Sequence, residues 1–344
     1  MTIRDWRETG GKPCRRSSNH GNSNCLHAAA GVAAMTPSLA HRLRTGRALL
    51  ADGAMGTNLF AAGLDVSRAP ETWLEERPDA IGALHRAFLA AGADILLTSS
   101  FGANRPRLAL WNAAPRCVDL NRRAAELAHD AAATATRPVL VAGSIGPTWR
   151  RPGIAPVPPP GDTPSRDEQE AEDIFAEQIA GLKAGGVDLV WLETMVSARE
   201  ARAGARAAIA AGLSYVATAS FGAGGLTPTG EPPLDFAAAF DGLPVPPLAI
   251  GANCCEGPAA ALAAAMAMPR ADGIALAVKP NCGLPELRSG AFEHPVGPPA
   301  MGRHAQAALA AGASIVGACC GATPAHVAAM REVLDHPAAT ARTQ

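Results

Sequence analysis

"LAAGASIVGACCGATPAHVAAM", residues 309–330, carries the reading of the fold. It opens as a helix end. Leu309–Ala311 runs into Gly312, the residue type that takes the left-handed turn closing a helix. The apolar run that follows from Ser314 reads as a short buried strand, bounded by glycines. Thr323 and Pro324 then suit an N-cap and a first helical position, so a second helix starts there. Helix, glycine, strand, loop and helix in close succession is the repeating unit of a parallel sheet covered by helices.

The helix-closing signature recurs upstream as "AAGAD" (90–94), "KAGGVD" (183–188) and "AAGLS" (210–214). Eight apolar runs follow the same plan: Ala48–Asp52, Asp94–Phe101, Val139–Gly146, Asp188–Met195, Tyr215–Phe221, Leu248–Cys254, Ile274–Asn281 and Ser314–Cys320. Ala-rich helical segments separate them, and another, Pro324–Leu334, follows the last. Eight strand–helix units predict a single (β/α)₈ TIM-type barrel, whose usual size is about 250 residues plus insertions. An open doubly wound sheet is the rival, but no dinucleotide fingerprint supports it. The expected organisation is a disordered extension over 1–36, the barrel over 37–336 and a short tail over 337–344.

The bulk numbers exclude several classes of function. The chain has 344 residues, a net charge of −1 and only 4% aromatic residues, with no long basic run. Nucleic acid and anionic membranes are therefore not expected partners. No uninterrupted apolar stretch reaches the ~18 residues of a membrane span. Within the first 35 residues, "RRSS" and the patch Cys25–Met35 resemble an export signal only loosely, since the patch is short and holds His27. A cytoplasmic protein is expected, with Met35 a candidate natural start. In that compartment the eight cysteines, at 14, 25, 117, 254, 255, 282, 319 and 320, read as thiols or metal ligands before disulfides.

A barrel collects its chemistry at the C-terminal ends of the strands, where the eight following loops share one face. Those ends read "LLADGAMGT", "LLTSSFGAN", "VAGSIGPT", "VWLETM", "TASFGAG", "GANCCEG", "VKPNCG" and "GACCGAT". Cys254 closes the sixth run, and Cys319 with Cys320 closes the eighth, so all three face one mouth. Small buried cysteines are ordinary packing residues in many proteins. Three thiolates converging on one mouth also suit a Zn²⁺ with an exchangeable fourth position. The barrel phase favours the metal.

"DGAMGT" (52–57), "GADILLTSSF" (92–101), "GSIGPT" (143–148), "LET" (192–194), "GANC" (251–254), "PNCGLP" (280–285) and "GACCGATPAHVAAM" (317–330) resemble the homocysteine S-methyltransferase family. The matches run in order from about Leu49 to Leu334. The resemblance implies a zinc-dependent enzyme that transfers a methyl group to the homocysteine thiol, giving methionine. It implies zinc on Cys254, Cys319 and Cys320, and an amino-acid pocket holding Glu193, Asp52 and Gly53. Each pocket residue has a plainer reading: Glu193 as cap of the next helix, Asp52 as a turn former. Asn253 either holds its loop or takes zinc's fourth position before substrate arrives. Cys255 is expected in packing, and Cys282 beside the pocket but not a ligand.

Thr98, Ser99 and Ser144 are expected to satisfy loop backbone, and His85, His129, His304 and His326 to be surface or hydrogen-bonded histidines. "FGAGGLTPTGE" (221–231) has Glu231 where a phosphate loop needs lysine, which excludes nucleotide binding there. The methyl donor expected is S-methylmethionine or S-adenosylmethionine, in a self-contained chain without a corrinoid or folate module. The alternatives are a homocysteine-activating component fed by a separate corrinoid protein, a betaine-dependent enzyme, or a non-catalytic zinc-binding barrel. Trp149, in the Pro-rich loop 147–170, could cover a cationic donor or simply pack. Gly102 stands where betaine-dependent relatives place a tyrosine, and Tyr215 is the chain's sole tyrosine, so an aromatic cage for betaine has little support.

Overall fold

Each expected apolar run contributes a strand to one parallel sheet in the computed structural model, which describes residues 37–148, 166–288 and 291–336. In chain order the strands are β1 (Leu49–Leu50), β2 (Ile95–Leu97), β3 (Leu140–Ile145), β4 (Leu189–Met195), β5 (Tyr215–Ala219), β6 (Ala249–Cys254), β7 (Ala275–Pro280), β8 (Glu286–Arg288), β9 (Ala291–Glu293) and β10 (Ile315–Val316). The large sheet has the order β1-β10-β7-β6-β5-β4-β3-β2. A parallel bridge between Ala51 and Ile95 joins its two ends, so the sheet closes on itself. The architecture is a (β/α)₈ barrel, with β10 as its eighth strand. The extension 1–36, Trp149 with most of its loop, and the tail 337–344 lie outside the described residues.

The helices follow the strands as the repeats require: Pro78–Ala90, Cys117–Ala132, Arg166–Ala184, Ala198–Ala210, Pro258–Met266, Pro298–Ala310 and Pro324–Asp335 are the longer ones. Gly92, Gly186, Gly212 and Gly312 all have positive φ (101°, 90°, 71° and 86°), the left-handed turn that a side chain resists. The repeated glycine is thus a helix stop. Among the unforeseen elements are the helix Met55–Ala61, inside "GAMGTNLFAAG", and the antiparallel β8–β9 hairpin, which pairs Leu287 with Phe292. Both are too short for periodicity to register.

Alternation along each strand sorts residues into two cores. Leu189 and Trp191 of β4 face the barrel interior with Leu97, Leu140, Val216 and Ile315. Val190 and Leu192 face outward, against helix residues such as Phe175 and Leu182. Continuing the inward phase past Trp191 brings Glu193 to the mouth. Alanine on both helix and strand surfaces lets the layers approach closely. The pairing segments are shorter than the apolar runs: β10 spans only Ile315–Val316 of the run to Cys320. Among the described residues no helix is long and apolar enough to cross a membrane.

Candidate metal and amino-acid site

The two adjacent cysteines are off the strand. Bonds to β7 go on past Val316, the Gly317 N–H donating to the Val278 carbonyl (3.1 Å) and the Cys319 N–H to the Pro280 carbonyl (2.8 Å), before the chain turns with the Ala322 N–H on the Cys319 carbonyl (3.1 Å). The turn brings both side chains to the same side. The Sγ atoms of Cys254, Cys319 and Cys320 all lie within 4.8 Å of one another, and each residue is half-buried. Cys254 reaches them from β6 through a left-handed turn at itself and Cys255 (φ 61° and 55°), a backbone region that non-glycine residues enter at a cost.

Three thiols this close share protons. Hydrogen bonds from the other two sulfurs pull Cys320 down to about 4, while donation toward Cys319 and Cys320 pushes Cys254 far above the ordinary thiol value. A divalent cation would replace those protons and accept all three sulfurs as thiolates. Three cysteine sulfurs gathered within 4.8 Å are a donor set that suits zinc. Cys255 turns away from the cluster. Its Sγ accepts from the Phe221 N–H (3.3 Å), as expected of a packing residue. Cys282 is fully buried, its N–H donating to the Cys320 carbonyl (2.9 Å).

The carbonyl oxygen of Asn253 is taken by the Thr194 N–H (2.6 Å), and its amide donates to Thr194 Oγ1 (2.6 Å) and faces Cys319 Sγ at 3.8 Å. The only atom of Asn253 suited to bind a metal is therefore turned away from the sulfurs. Its geometry is that of the loop-holding reading: it ties the end of β4 to the end of β6.

Beside the sulfurs lie two buried carboxylates and one buried ammonium. Glu193 accepts from Ser144 Oγ (2.5 Å) and from Lys279 Nζ (3.4 Å). It does not cap the following helix; Ser197 does, accepting from the Glu200 N–H (3.1 Å). Burial raises the Glu193 pKa, with Lys279 opposing. Asp52 is fully buried, with Oδ2 accepting from the Leu97 N–H (2.9 Å) and Oδ1 without a hydrogen-bond partner. Burial pushes its pKa up to about 7, against the pull of Lys279. An orphaned, buried acceptor at a barrel mouth is a vacancy for a donor, and an ammonium group fits it.

Lys279 is the residue that sequence reading missed. Burial disfavours its charge, but Glu193, Asp52 and Cys319 outweigh that and hold its pKa above the ordinary lysine value. Its ammonium also lies 4.9 Å from the Trp191 ring centroid. The available signal was a lysine on the inward phase of "ALAVKP", two residues beyond Ala277. Gly53 has a packing reason of its own. A Cβ there would come within 2.7 Å of the Phe88 ring and 3.0 Å of the Ala322 carbonyl.

The remaining expectations divide. Thr98 satisfies backbone, its Oγ1 accepting from the Ser144 N–H of β3 (2.9 Å), whereas the Ser144 hydroxyl departs from expectation and serves Glu193. His129 pairs with the Gly186 carbonyl (2.6 Å), and His326 with Thr323 Oγ1 (2.9 Å). His85 departs from expectation. It is fully buried, neither ring nitrogen has a hydrogen-bond partner, and burial drives its pKa to about 4, so it packs as a neutral ring. Glu231 caps a helix instead of binding phosphate, accepting from the Ala198 N–H (2.8 Å).

A parallel barrel with three thiols gathered at one mouth, beside two buried carboxylates, defines a class of (β/α)₈ protein with a candidate metal centre. Comparison with known proteins narrows the class. Residues 49–334 match the homocysteine S-methyltransferase family, and the chain belongs to that family, whose reaction is methyl transfer to the homocysteine thiol. Among curated proteins it is 31% identical over 297 residues to the methionine synthase of Mycobacterium tuberculosis, and equally to that of Mycobacterium leprae. Each alignment covers 82% of this chain and 24% of the relative, so the chain spans about a quarter of these relatives' length. Among solved structures it resembles the homocysteine methyltransferase MmuM of Escherichia coli. The metallated form has a TM-score of 0.66 at 24% identity, covering 85% of this chain and 99% of that one. The oxidized form has a TM-score of 0.63 at 26% identity, covering 83% and 95%.

Proposed function

We propose that this chain methylates homocysteine and that Cys254, Cys319 and Cys320 would hold the Zn²⁺ that activates the substrate thiol. The observation that carries the reading is the meeting of three sulfurs from two separate strand ends, within 4.8 Å, beside the carboxylates. A bound zinc supplies Lewis acidity that keeps the substrate sulfur deprotonated at neutral pH, where a free thiol is mostly protonated. The chain's own residues do the rest. Glu193 and the unpartnered Oδ1 of Asp52 accept the substrate ammonium. Lys279 offsets the charge of the two buried carboxylates, and Ser144 fixes the orientation of Glu193. Held at both ends, by sulfur and by ammonium, the substrate presents its thiolate to the methyl group in one orientation.

The first-choice donor is a small sulfonium, S-methylmethionine or S-adenosylmethionine, and the 26% identity to a homocysteine methyltransferase, MmuM, supports small-molecule methyl transfer. A second reading makes the chain a homocysteine-activating unit that receives its methyl group from a separate corrinoid protein. The 31% identity to methionine synthases supports that reading. Methyl transfer by the purified, zinc-loaded chain, with each donor alone and with a methylated corrinoid protein, separates the two. Methionine formed from S-methylmethionine alone establishes the first. Methionine formed only with the corrinoid protein establishes the second, and none with any donor removes both.

A further inference from the structure

The metal-binding loops come from opposite sides of β7, and one residue between them touches both. Asn281 follows β7 directly and is buried. Its backbone N–H donates to the Cys254 carbonyl (2.8 Å), and its Nδ2 donates to the Cys255 carbonyl (2.9 Å). On the other side its Oδ1 accepts from the Cys320 N–H (2.9 Å). The partners leave no freedom in the amide's orientation: a carbonyl needs a donor and an N–H needs an acceptor.

The first two bonds fall on Cys254 and Cys255, the consecutive non-glycine residues with φ of 61° and 55°. Such a backbone persists only where its surroundings over-determine it. Asn281 takes the carbonyls of both strained residues and, through the same planar amide, fixes the loop that carries Cys320. Hydrogen bonds in the neighbourhood reinforce the clamp, since flanking Pro280 and Cys282 bond the backbone of Cys319 and Cys320.

We infer that Asn281 is the positioning residue of the thiolate site, setting the separation of Cys254 from Cys320 and hence the geometry offered to a metal. It touches neither sulfur nor substrate, and it acts through the backbone of the ligands. The inference rests on the zinc reading above. Only a side chain with a donor and an acceptor on one short plane can make both contacts. Asp lacks the donor, and Ala lacks both.

The test uses the whole chain loaded with Zn²⁺ or Co²⁺. Residues that orient metal ligands are worth about 10- to 100-fold in metal affinity. Asn281→Ala should weaken zinc binding by that factor in competition with a chromophoric chelator. Its Co²⁺ form, at saturating metal, should show shifted thiolate-to-cobalt bands, a readout of ligand geometry that lost stability alone would not move. Asn281→Asp keeps the bond to Cys320 and loses the one to Cys255, so its cobalt spectrum should shift as well. Zinc affinity within threefold of wild type, with a superimposable cobalt spectrum in Asn281→Ala, overturns the inference. If that variant does not fold, an unshifted spectrum in Asn281→Asp overturns it. Wild type lacking any thiolate-to-cobalt band would instead overturn the zinc reading, before any variant is compared.

Discussion

Cys254, Cys319 and Cys320 are three residues with one proposed task, so replacing any one by Ala should act alike. Zinc content should fall from about one per chain toward none and methyl transfer should stop. The circular dichroism of the barrel should stay the same, because none of the three belongs to the hydrophobic clusters of the core. Metal analysis and X-ray absorption check this directly. The carboxylates should separate from the sulfurs. Removing one charge-assisted hydrogen bond costs about 1.5–3 kcal/mol. Glu193→Gln or Asp52→Asn should therefore weaken homocysteine binding roughly 10- to 150-fold in calorimetry, with zinc content unchanged. Unaltered affinity in both variants would take them out of the pocket. Asp52 also makes a pH prediction. Its pKa rises from an ordinary 3.8 to about 7, so between these values the native state holds more protons than the unfolded chain. The stability of the metal-free protein should then fall as pH rises from about 4 through 7, by at most about 1.4 kcal/mol per pH step of one. Denaturant midpoints should show that slope, and Asp52→Asn should flatten it.

Strands are the level at which the site is aimed. β6 and β7 run side by side from Ala249 with Ala275 to Cys254 with Pro280, and the register sets Asn253 beside Lys279. Gly251 sits midway along this ladder, where a Cβ would fall 1.7 Å from the carbonyl oxygen of its partner Ala277. That obstruction is backbone, so no rotamer change can relieve it. Gly251→Ala should force the two strands apart just beneath the sulfur cluster, at a cost of at least the ~1–3 kcal/mol typical of overpacking. A lower melting temperature together with weaker zinc binding is the expected result. A variant with wild-type values for both would show that β6 can shift without disturbing its end.

For the molecule as a whole, the interior of the barrel and the helix–sheet layer are packed without help from the mouth. Chelating the metal should therefore leave secondary structure intact and lower the melting temperature only through the lost binding free energy, which grows as the logarithm of zinc concentration over its dissociation constant. Unfolding on chelation would instead make the cluster a structural centre. We propose residues 37–336 as the folding unit. A chain lacking residues 1–36 should keep the melting temperature and zinc affinity of the full chain, measured side by side.

The amino-acid sequence alone determined the architecture. Eight apolar runs and recurring helix-stop glycines are local signals, each readable from a few neighbouring residues. It also singled out Cys254, Cys319, Cys320, Glu193 and Asp52, because strand ends in a barrel share one face and the family motifs fall there. Tertiary structure decided what depends on facing partners. Lys279 reads as one charged residue in an apolar run until Glu193 and Trp191 are brought against it from another strand. Asn281 reads only as the end of an apolar run until Cys255 and Cys320 arrive on its two sides. Asn253 kept two readings in the sequence, and the Thr194 N–H oriented its amide toward one. His85 read as a surface or hydrogen-bonded histidine, yet the packing leaves it buried with no partner for either ring nitrogen. A side chain's type is written in the chain, whereas its hydrogen-bond partners and its exposure are set by residues distant in sequence, and only closure of the barrel brings those together.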